Sequence, residues 1–264
     1  MIAYFIDEPA LSKKQIKQLD KVDLLTTQRG ISGRKYRLAP LHDLRKSAEE
    51  AIASGANILV AVGGDAIVNR LINAVFSIRD QDTGPVGIKV ATIPMGDSVG
   101  IARSFGVGDV EASVGAIASG VAQTIDLGRV NKRHYFIRAA IFPAGVSLDF
   151  ASYKISSTRK EHHISVCNGP FYTDTTKKRC FNCTDGLLDA VVAYRPMKRI
   201  KPSKDNPESY VIESVFPVRS IQISSREKSI GIYADIEKRM SVPIFVEAIP
   251  GALDFISNVH MPHE

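Results

Sequence analysis

The sequence has no run of roughly 20 apolar residues, the length that a helix needs to cross a bilayer. Its N-terminal apolar stretch, Met1 to Ile6, is too short for a secretion signal and lacks the basic flank of one. Cysteine is also scarce: three residues argue against a disulfide framework and fit a reducing compartment. These absences predict a soluble protein of the cytoplasm.

Internal repeats and low-complexity tracts are also missing, and the basic residues form no long tract with interleaved aromatic side chains. We therefore expect no nucleic-acid partner. The formal charge of +6 nevertheless indicates a surface that attracts anions, and a nucleotide or an acidic phospholipid would meet that description.

The first half of the chain alternates short apolar runs with amphipathic segments. Buried parallel strands have continuous apolar runs, so residues 2–6, 22–26, 57–62 and 89–93 are predicted strands. Apolar residues at helical spacing lie between the second and third runs and after the third. The pattern predicts an α/β domain with a doubly wound parallel sheet over residues 1–122.

From residue 123 onward, short β-branched and aromatic runs are separated by turn residues. Examples are residues 135–141, 164–167 and 188–194. This pattern predicts a β-rich, sandwich-like second domain over residues 123–250. The final segment, residues 251–264, is predicted to return to the first domain.

Two glycines and an aspartate, Gly63-Gly64-Asp65, follow the third predicted strand and open a helix. Residues without a Cβ let backbone N–H groups approach an anion closely, and a helix N-terminus adds partial positive charge. This geometry suits a phosphate. Asp65 would repel a phosphate unless a divalent cation intervened, so it indicates either a Mg²⁺ ligand or a helix cap. A tight strand-to-helix turn without any ligand is the alternative.

A second glycine turn follows the fourth predicted strand, within residues 93–103. Gly96 lies at the turn, and Arg103 ends a short predicted helix after it. Because the carboxyl ends of parallel strands meet at one edge of a sheet, both turns are expected at the edge where open α/β folds bind ligands.

The order of these segments resembles the diacylglycerol kinase catalytic family of bacterial lipid kinases, which shares its fold with NAD kinases. Residues 60–73 are similar to the family's glycine loop, Gly-Gly-Asp-Gly-Thr-Val-Asn, and residues 93–107 to its Pro-x-Gly-Thr-x-Asn-Asp-Phe-Ala-Arg segment. Residues 125–149 resemble the Ile-Asp-Leu-Gly-x-Val opening of the second domain. Later similarities follow in the family's order, at residues 167–169, 185–189, 235–237 and 249–253.

The resemblance implies ATP bound between the two domains, Mg²⁺ bridging its phosphates, and γ-phosphoryl transfer to the hydroxyl of a membrane lipid. Glu237 would be the general base, and Asp65 a second catalytic residue. A structural Mg²⁺ would be held by Asn182, Asp185 and the Leu187 carbonyl. Contact with a membrane surface and a homodimer are left open. The implied nucleotide-binding residues are Gly63, Gly64, Asp65, Ala66, Asn69, Gly96 and Asp97.

Several residues depart from the family pattern at the nucleotide. Ala66 and Ile67 stand where the family has Gly and Thr, so a methyl group intrudes and a hydroxyl donor is lost. Asp97 replaces a Thr and brings a like charge near phosphate, at a cost of roughly a kcal/mol or more. These changes predict a lipid-kinase fold with impaired or altered use of ATP. An active kinase with an unusual site, and a non-catalytic binding module with an apolar cleft, are the alternatives. Val99 and Gly100 also replace the family's Asn-Asp pair, and Ile236 replaces the Gly of its Asp-Gly-Glu motif.

A different site is suggested by Cys180 and Cys183, which have the two-residue spacing of a zinc knuckle. His162, His163 and Cys167 are near enough in sequence to add ligands. Buried or half-exposed thiols without metal are the alternative.

Overall fold

Contacts divide the protein, described here from a computed structural model, into two units. The first unit comprises Met1–Ile125 with the described residues from 251 onward, and the second comprises Asp126–Pro250. The structure describes residues 1–8, 12–39, 43–78, 87–96, 98–142, 145–150, 152–156, 162–169, 181–194, 211–225, 231–235 and 238–258.

Five helices and sixteen strands are assigned within the described residues. The helices are α1 (Lys13–Gln28), α2 (Leu44–Ala53), α3 (Asp65–Ile78), α4 (Gly100–Ser104) and α5 (Val110–Ser119). The strands are β1 (Ile2–Ile6), β2 (Arg34–Arg37), β3 (Ile58–Gly63), β4 (Lys89–Pro94), β5 (Ala122–Val130), β6 (His134–Phe136), β7 (Ala139–Phe142), β8 (Val146–Asp149), β9 (Lys154–Ser156), β10 (His162–Cys167), β11 (Leu188–Tyr194), β12 (Val211–Val218), β13 (Ser220–Ser225), β14 (Gly231–Ala234), β15 (Lys238–Ser241) and β16 (Ile244–Ile256).

The first unit is built on a parallel sheet with the strand order β2-β1-β3-β4, and the C-terminal part of β16 pairs in parallel with β4. Strands β1, β3 and β4 are buried almost throughout, as expected for a sheet covered by helices. Helix α1 contacts α5, and α2 contacts α3. The predicted α/β class with a parallel sheet is confirmed.

The prediction of a strand at residues 22–26 is wrong, because these residues lie in α1. Leu19, Val22 and Thr26 are the buried positions, and their spacing of three and four residues is helical. The helix begins with a capping box between Ser12 and Gln15, a local signal that favours helix over strand. The second strand is instead β2, in which only Tyr36 is buried, so it has no apolar run to reveal it.

The second unit contains two sheets. One has the antiparallel order β12-β11-β10-β7-β14-β15, and in the other β13 pairs with the N-terminal part of β16 and with β8, which pairs with β9. Side chains of both sheets form one buried cluster, including Phe142, Val166 and Ala190 from the first and Leu148, Ile223 and Val246 from the second. This is the β-rich, sandwich-like arrangement that was predicted. Among the described helices, none is both long and apolar enough to span a membrane.

Candidate functional site

The sheet of the first unit reverses its strand order between β1 and β3. In open α/β folds, ligands bind outside the carboxyl ends of the strands at such a switch point. Asp7 follows β1 here, and Gly63-Gly64 end β3 and lead into α3. The predicted glycine turn therefore lies at the position where this architecture places a binding site.

The glycine pair is required by close contacts within the protein. A Cβ added to Gly63 would lie 2.8 Å from Cγ2 of Ile67, and a Cβ added to Gly64 would lie 2.8 Å from the carbonyl oxygen of Ser98. Both distances are shorter than atoms tolerate. Ile67 is fully buried, so its alkyl chain packs beneath the turn and does not face solvent. Gly64 and Ala66 are half-buried and form the part of the turn that a ligand can approach.

Asp65 joins the two glycine turns. Its carboxylate accepts hydrogen bonds from the backbone N–H groups of Gly100 at 2.9 Å and Ile101 at 2.8 Å, and from the Ser98 hydroxyl at 3.2 Å. Its own N–H donates to the Ser98 carbonyl at 2.7 Å. Helix α4 has Val99 at its N-cap and no side-chain cap of its own. Asp65 therefore caps helix α4, and a helix cap is one of the two interpretations proposed.

Two other predicted nucleotide residues differ in their exposure. Asn69 is buried on α3, where the Asn73 side chain donates to its carbonyl oxygen at 2.9 Å and to its Oδ1 at 3.0 Å. Gly96 is half-buried and has a φ of +110°, a conformation that favours glycine. Their role in nucleotide binding stays a prediction. Asp97 lies outside the described residues.

Glu237, the predicted general base, also lies outside the described residues, whereas Asp235, two positions earlier, is one of them. The buried carboxylate of Asp235 accepts from the N–H groups of Ile137 at 2.6 Å, Arg138 at 3.0 Å and Ala139 at 3.1 Å. Asp235 itself has a φ of +45°, in the left-handed region. The carboxylate thus anchors the turn after β14 to the segment between β6 and β7.

The predicted metal-binding turn, residues 182–187, is closed by its own hydrogen bonds. Oδ1 of Asn182 accepts from the N–H and the hydroxyl of Thr184, and Oδ1 of Asp185 accepts from the N–H of Leu187. Buried Asp126 accepts from the N–H of Gly186 at 2.7 Å.

Amide, carboxylate and carbonyl oxygens suit Mg²⁺. In this turn, Oδ1 of Asn182 and Oδ1 of Asp185 already accept hydrogen bonds from the protein. In the parts of the chain that the structure describes, no group of three or more His, Cys, Asp and Glu side chains could hold a metal ion. At the glycine turn, both oxygens of Asp65 likewise accept from protein donors. The metal role of Asn182, Asp185 and Leu187 stays a prediction.

The described thiols have the properties of buried core residues. Burial raises the pKa of Cys183 to about 12, and burial likewise raises the pKa of Cys167. Both are free thiols in the buried core of the second unit. Cys180 lies outside the described residues. His162 is 3.5 Å from the carboxylate of Glu213 and its ring is 5.6 Å from that of Tyr194.

Sequence reasoning did not single out the ion pair between Arg70 on α3 and Asp7 after β1, whose nearest atoms are 3.7 Å apart. Helical spacing could have drawn attention to Arg70, because it lies four residues after Ala66 on the half-buried face of α3. The pairing with Asp7 spans 63 positions and left no local trace in the sequence.

Comparisons with known proteins find a family that part of the chain resembles. Residues 2–130 match the family model of the diacylglycerol kinase catalytic domain, which confirms the resemblance drawn from the motifs. Diacylglycerol kinases of Staphylococcus aureus (strain MRSA252) and Staphylococcus epidermidis (strain ATCC 12228 / FDA PCI 1200) are 29% identical over 160 residues, 60% of this chain and 48% of each relative. The match thus spans about half the length of these curated relatives.

Solved structures extend the similarity of fold beyond that match. A crystal structure of a diacylglycerol kinase from Bacillus anthracis str. Sterne superposes with a TM-score of 0.74, covering 97% of this chain and 96% of that one. The two sequences are 17% identical. At this identity the likeness establishes the fold alone.

Proposed function

We propose that this chain, whose residues 2–130 match the diacylglycerol kinase catalytic domain, transfers a phosphoryl group from ATP to the hydroxyl of a lipid. One observation carries the proposal: two glycine turns at the carboxyl edge of a parallel sheet are fixed to each other by buried Asp65. Phosphoryl transfer needs little covalent chemistry from the protein and depends on positioning and electrostatic stabilisation. A rigid pair of turns at the end of the sheet suits that task.

The nucleotide phosphates would lie against Gly64, Ala66 and Gly96, whose backbone is half-buried at this edge. Backbone N–H groups and the positive end of α3 would stabilise the phosphate charge there. The loss of the family's Thr at position 67 removes a hydroxyl, and the buried Ile67 that replaces it contributes packing only. We therefore expect a catalytic rate below that of a kinase with the full set of donors.

Mg²⁺ would accompany ATP and neutralise charge on its phosphates. In this proposal Asp65 acts by holding the two glycine turns together, because its oxygens accept from Gly100, Ile101 and Ser98.

Glu237 is the proposed general base, which would accept the proton of the lipid hydroxyl as the hydroxyl oxygen attacks phosphorus. Asp235, two positions before Glu237, supports this role, because its carboxylate is fixed by three hydrogen bonds from backbone N–H groups. A general base contributes about 10² to 10⁴ in rate, so its loss is measurable even in a slow enzyme.

The acceptor lipid requires contact with a membrane surface, which we propose for the second unit. Residues 126–250 carry 20 Lys and Arg against 13 Asp and Glu, a net charge of +7, whereas the first unit carries 14 of each and is neutral. Basic groups near an anionic bilayer contribute about 1 kcal/mol each. Salt-sensitive sedimentation with vesicles of an anionic phospholipid is expected, and its absence at low salt would contradict this surface. The homodimer stays a prediction.

The activity is tested by offering the full chain ATP, Mg²⁺ and mixed micelles of diacylglycerol, with phosphatidic acid detected by mass spectrometry. Wild-type protein should form it, and Glu237→Gln should lower kcat about a hundredfold or more. Glu213→Gln is the matched control, because Glu213 is an exposed glutamate of the same unit on β12. No product from wild-type protein, together with no ATP binding, would overturn the proposed function in favour of a non-catalytic protein.

A further inference from the structure

Asp7 and Arg70 lie beside the glycine turn, within the first unit. A Cβ added to Gly63 would be 3.5 Å from the Cβ of Asp7, so the aspartate stands directly against the turn. Nη1 of Arg70 is 3.7 Å from Oδ2 of Asp7. Both residues belong to the β1/β3 edge where the strand order reverses, which is the ligand-binding position of this architecture.

The direction of the Arg70 side chain follows from the helix that carries it. Long side chains on a helix lean toward its N-terminus and cover the turn before their own Cα. For Arg70, that turn contains Ala66, whose single methyl group leaves room for the arginine stem to pass. The contact with Asp7 confirms that the guanidinium reaches the end of β1.

The ion pair leaves the guanidinium able to bind another group. A separation of 3.7 Å exceeds the distance of an N–H···O hydrogen bond, so Asp7 attracts the cation without engaging its donors closely. The Arg70 side chain is 35% exposed and that of Asp7 13%. A planar guanidinium with several N–H donors matches two oxygens of a phosphate.

We propose that Arg70 binds the phosphate chain of the nucleotide and that Asp7 holds the guanidinium in place until the phosphate arrives. This inference rests on the proposed function and names one of its specificity-determining residues. It also explains how the site tolerates its altered glycine loop: a cation on the second turn of α3 replaces the hydroxyl donor that is lost at Ile67. Because Asp7 competes with phosphate for the same cation, the two residues have opposite effects on nucleotide affinity.

Isothermal titration calorimetry with the full chain tests whether Arg70 and Asp7 have opposite effects on the affinity for ATP. Arg70→Gln should weaken ATP binding about tenfold or more, because a charge-assisted hydrogen bond is lost, and should leave adenosine unaffected. Asp7→Asn should tighten ATP binding by about two- to fivefold, since the competing charge is removed. Arg34→Gln is the matched control: Arg34 also pairs with a carboxylate, Glu50 at 2.6 Å, but at the amino end of the parallel strands.

Tripolyphosphate, titrated in parallel, separates failure of the inference from failure of the proposed function. ATP binding that is equal in wild-type, Arg70→Gln and Arg34→Gln proteins would overturn the role of Arg70 and leave the kinase proposal standing. Binding of tripolyphosphate but not ATP, lost in Arg70→Gln, would support the phosphate site and overturn ATP use. If Asp7→Asn weakens ATP binding, the pair is a structural ion pair and the inference is wrong.

Discussion

Replacing Asp65 by asparagine is the most direct test of how the two glycine turns are held together. The Asp65 side chain accepts from two backbone N–H groups, one on each carboxylate oxygen, and Asp65 is 3% exposed. Asparagine has the same shape but only one acceptor oxygen, so its NH₂ group must face one of the two donors. One buried N–H of α4 then loses its partner and a charge-assisted bond becomes a neutral one.

The size of the effect follows from those two losses. A hydrogen bond to a charged group contributes about 1.5 to 3 kcal/mol, and an unsatisfied buried donor costs about 1 to 3 kcal/mol. We expect Asp65→Asn to lower the free energy of unfolding by about 2 to 3 kcal/mol. Asp65→Ala removes both acceptors and should lower it by about 3 to 5 kcal/mol.

Urea unfolding followed by far-UV circular dichroism measures these changes, with Asp109→Asn as the matched control. Asp109 caps α5 through one exposed hydrogen bond, to the N–H of Ala112 at 2.8 Å. Asparagine caps helices as well as aspartate does, so the control should change stability by less than about 0.5 kcal/mol. Equal effects of Asp65→Asn and Asp109→Asn would refute the reasoning. If Asp65→Asn lowers the free energy of unfolding only in the presence of Mg²⁺, the Asp65 carboxylate binds a metal ion instead.

Two further outcomes are expected. Asp235→Asn should lower the free energy of unfolding by about 2 kcal/mol in the same urea assay, because it replaces a carboxylate to which three N–H groups donate. Asparagine tolerates the left-handed backbone at this position, so no strain is added. An unchanged urea midpoint of unfolding would contradict this prediction. Cys167 and Cys183 should resist alkylation by iodoacetamide at pH 8 until urea is added, since burial raises the pKa of both thiols, to about 12 at Cys183. Mass spectrometry of peptides measures the labelling, and labelling of either cysteine before urea is added would contradict this prediction.

The sequence was sufficient for features that depend on neighbouring residues. The glycine turn follows a continuous apolar run, and α5 begins after Asp109 and ends at Gly120, two residue types that commonly cap helices. Prediction failed where local signals conflicted. Val22 and its neighbours have strand-forming side chains, but tertiary packing buries them at helical spacing within α1.

Long-range contacts account for most of what the sequence could not provide. The predicted strand at residues 135–141 is divided into β6 and β7, and the intervening N–H groups of Ile137 and Arg138 bind Asp235, almost 100 positions away. Asp65 was identified as a cap or a metal ligand, yet the helix that it caps begins 35 positions later. Nothing in a single sequence indicates such partners.

These contacts also give a physical meaning to the departures from the family pattern. Gly63 and Gly64 are required by Ile67 and Ser98, so the glycines would be kept whether or not a phosphate binds beside them. Asp65 is likewise required by α4. Survival of the Gly-Gly-Asp motif therefore cannot by itself indicate ATP use, and a side chain that protein packing does not require is more informative. Arg70 is such a side chain, since its contact with Asp7 is long and partly exposed, and this is why its substitution tests nucleotide binding more directly than any change in the motif.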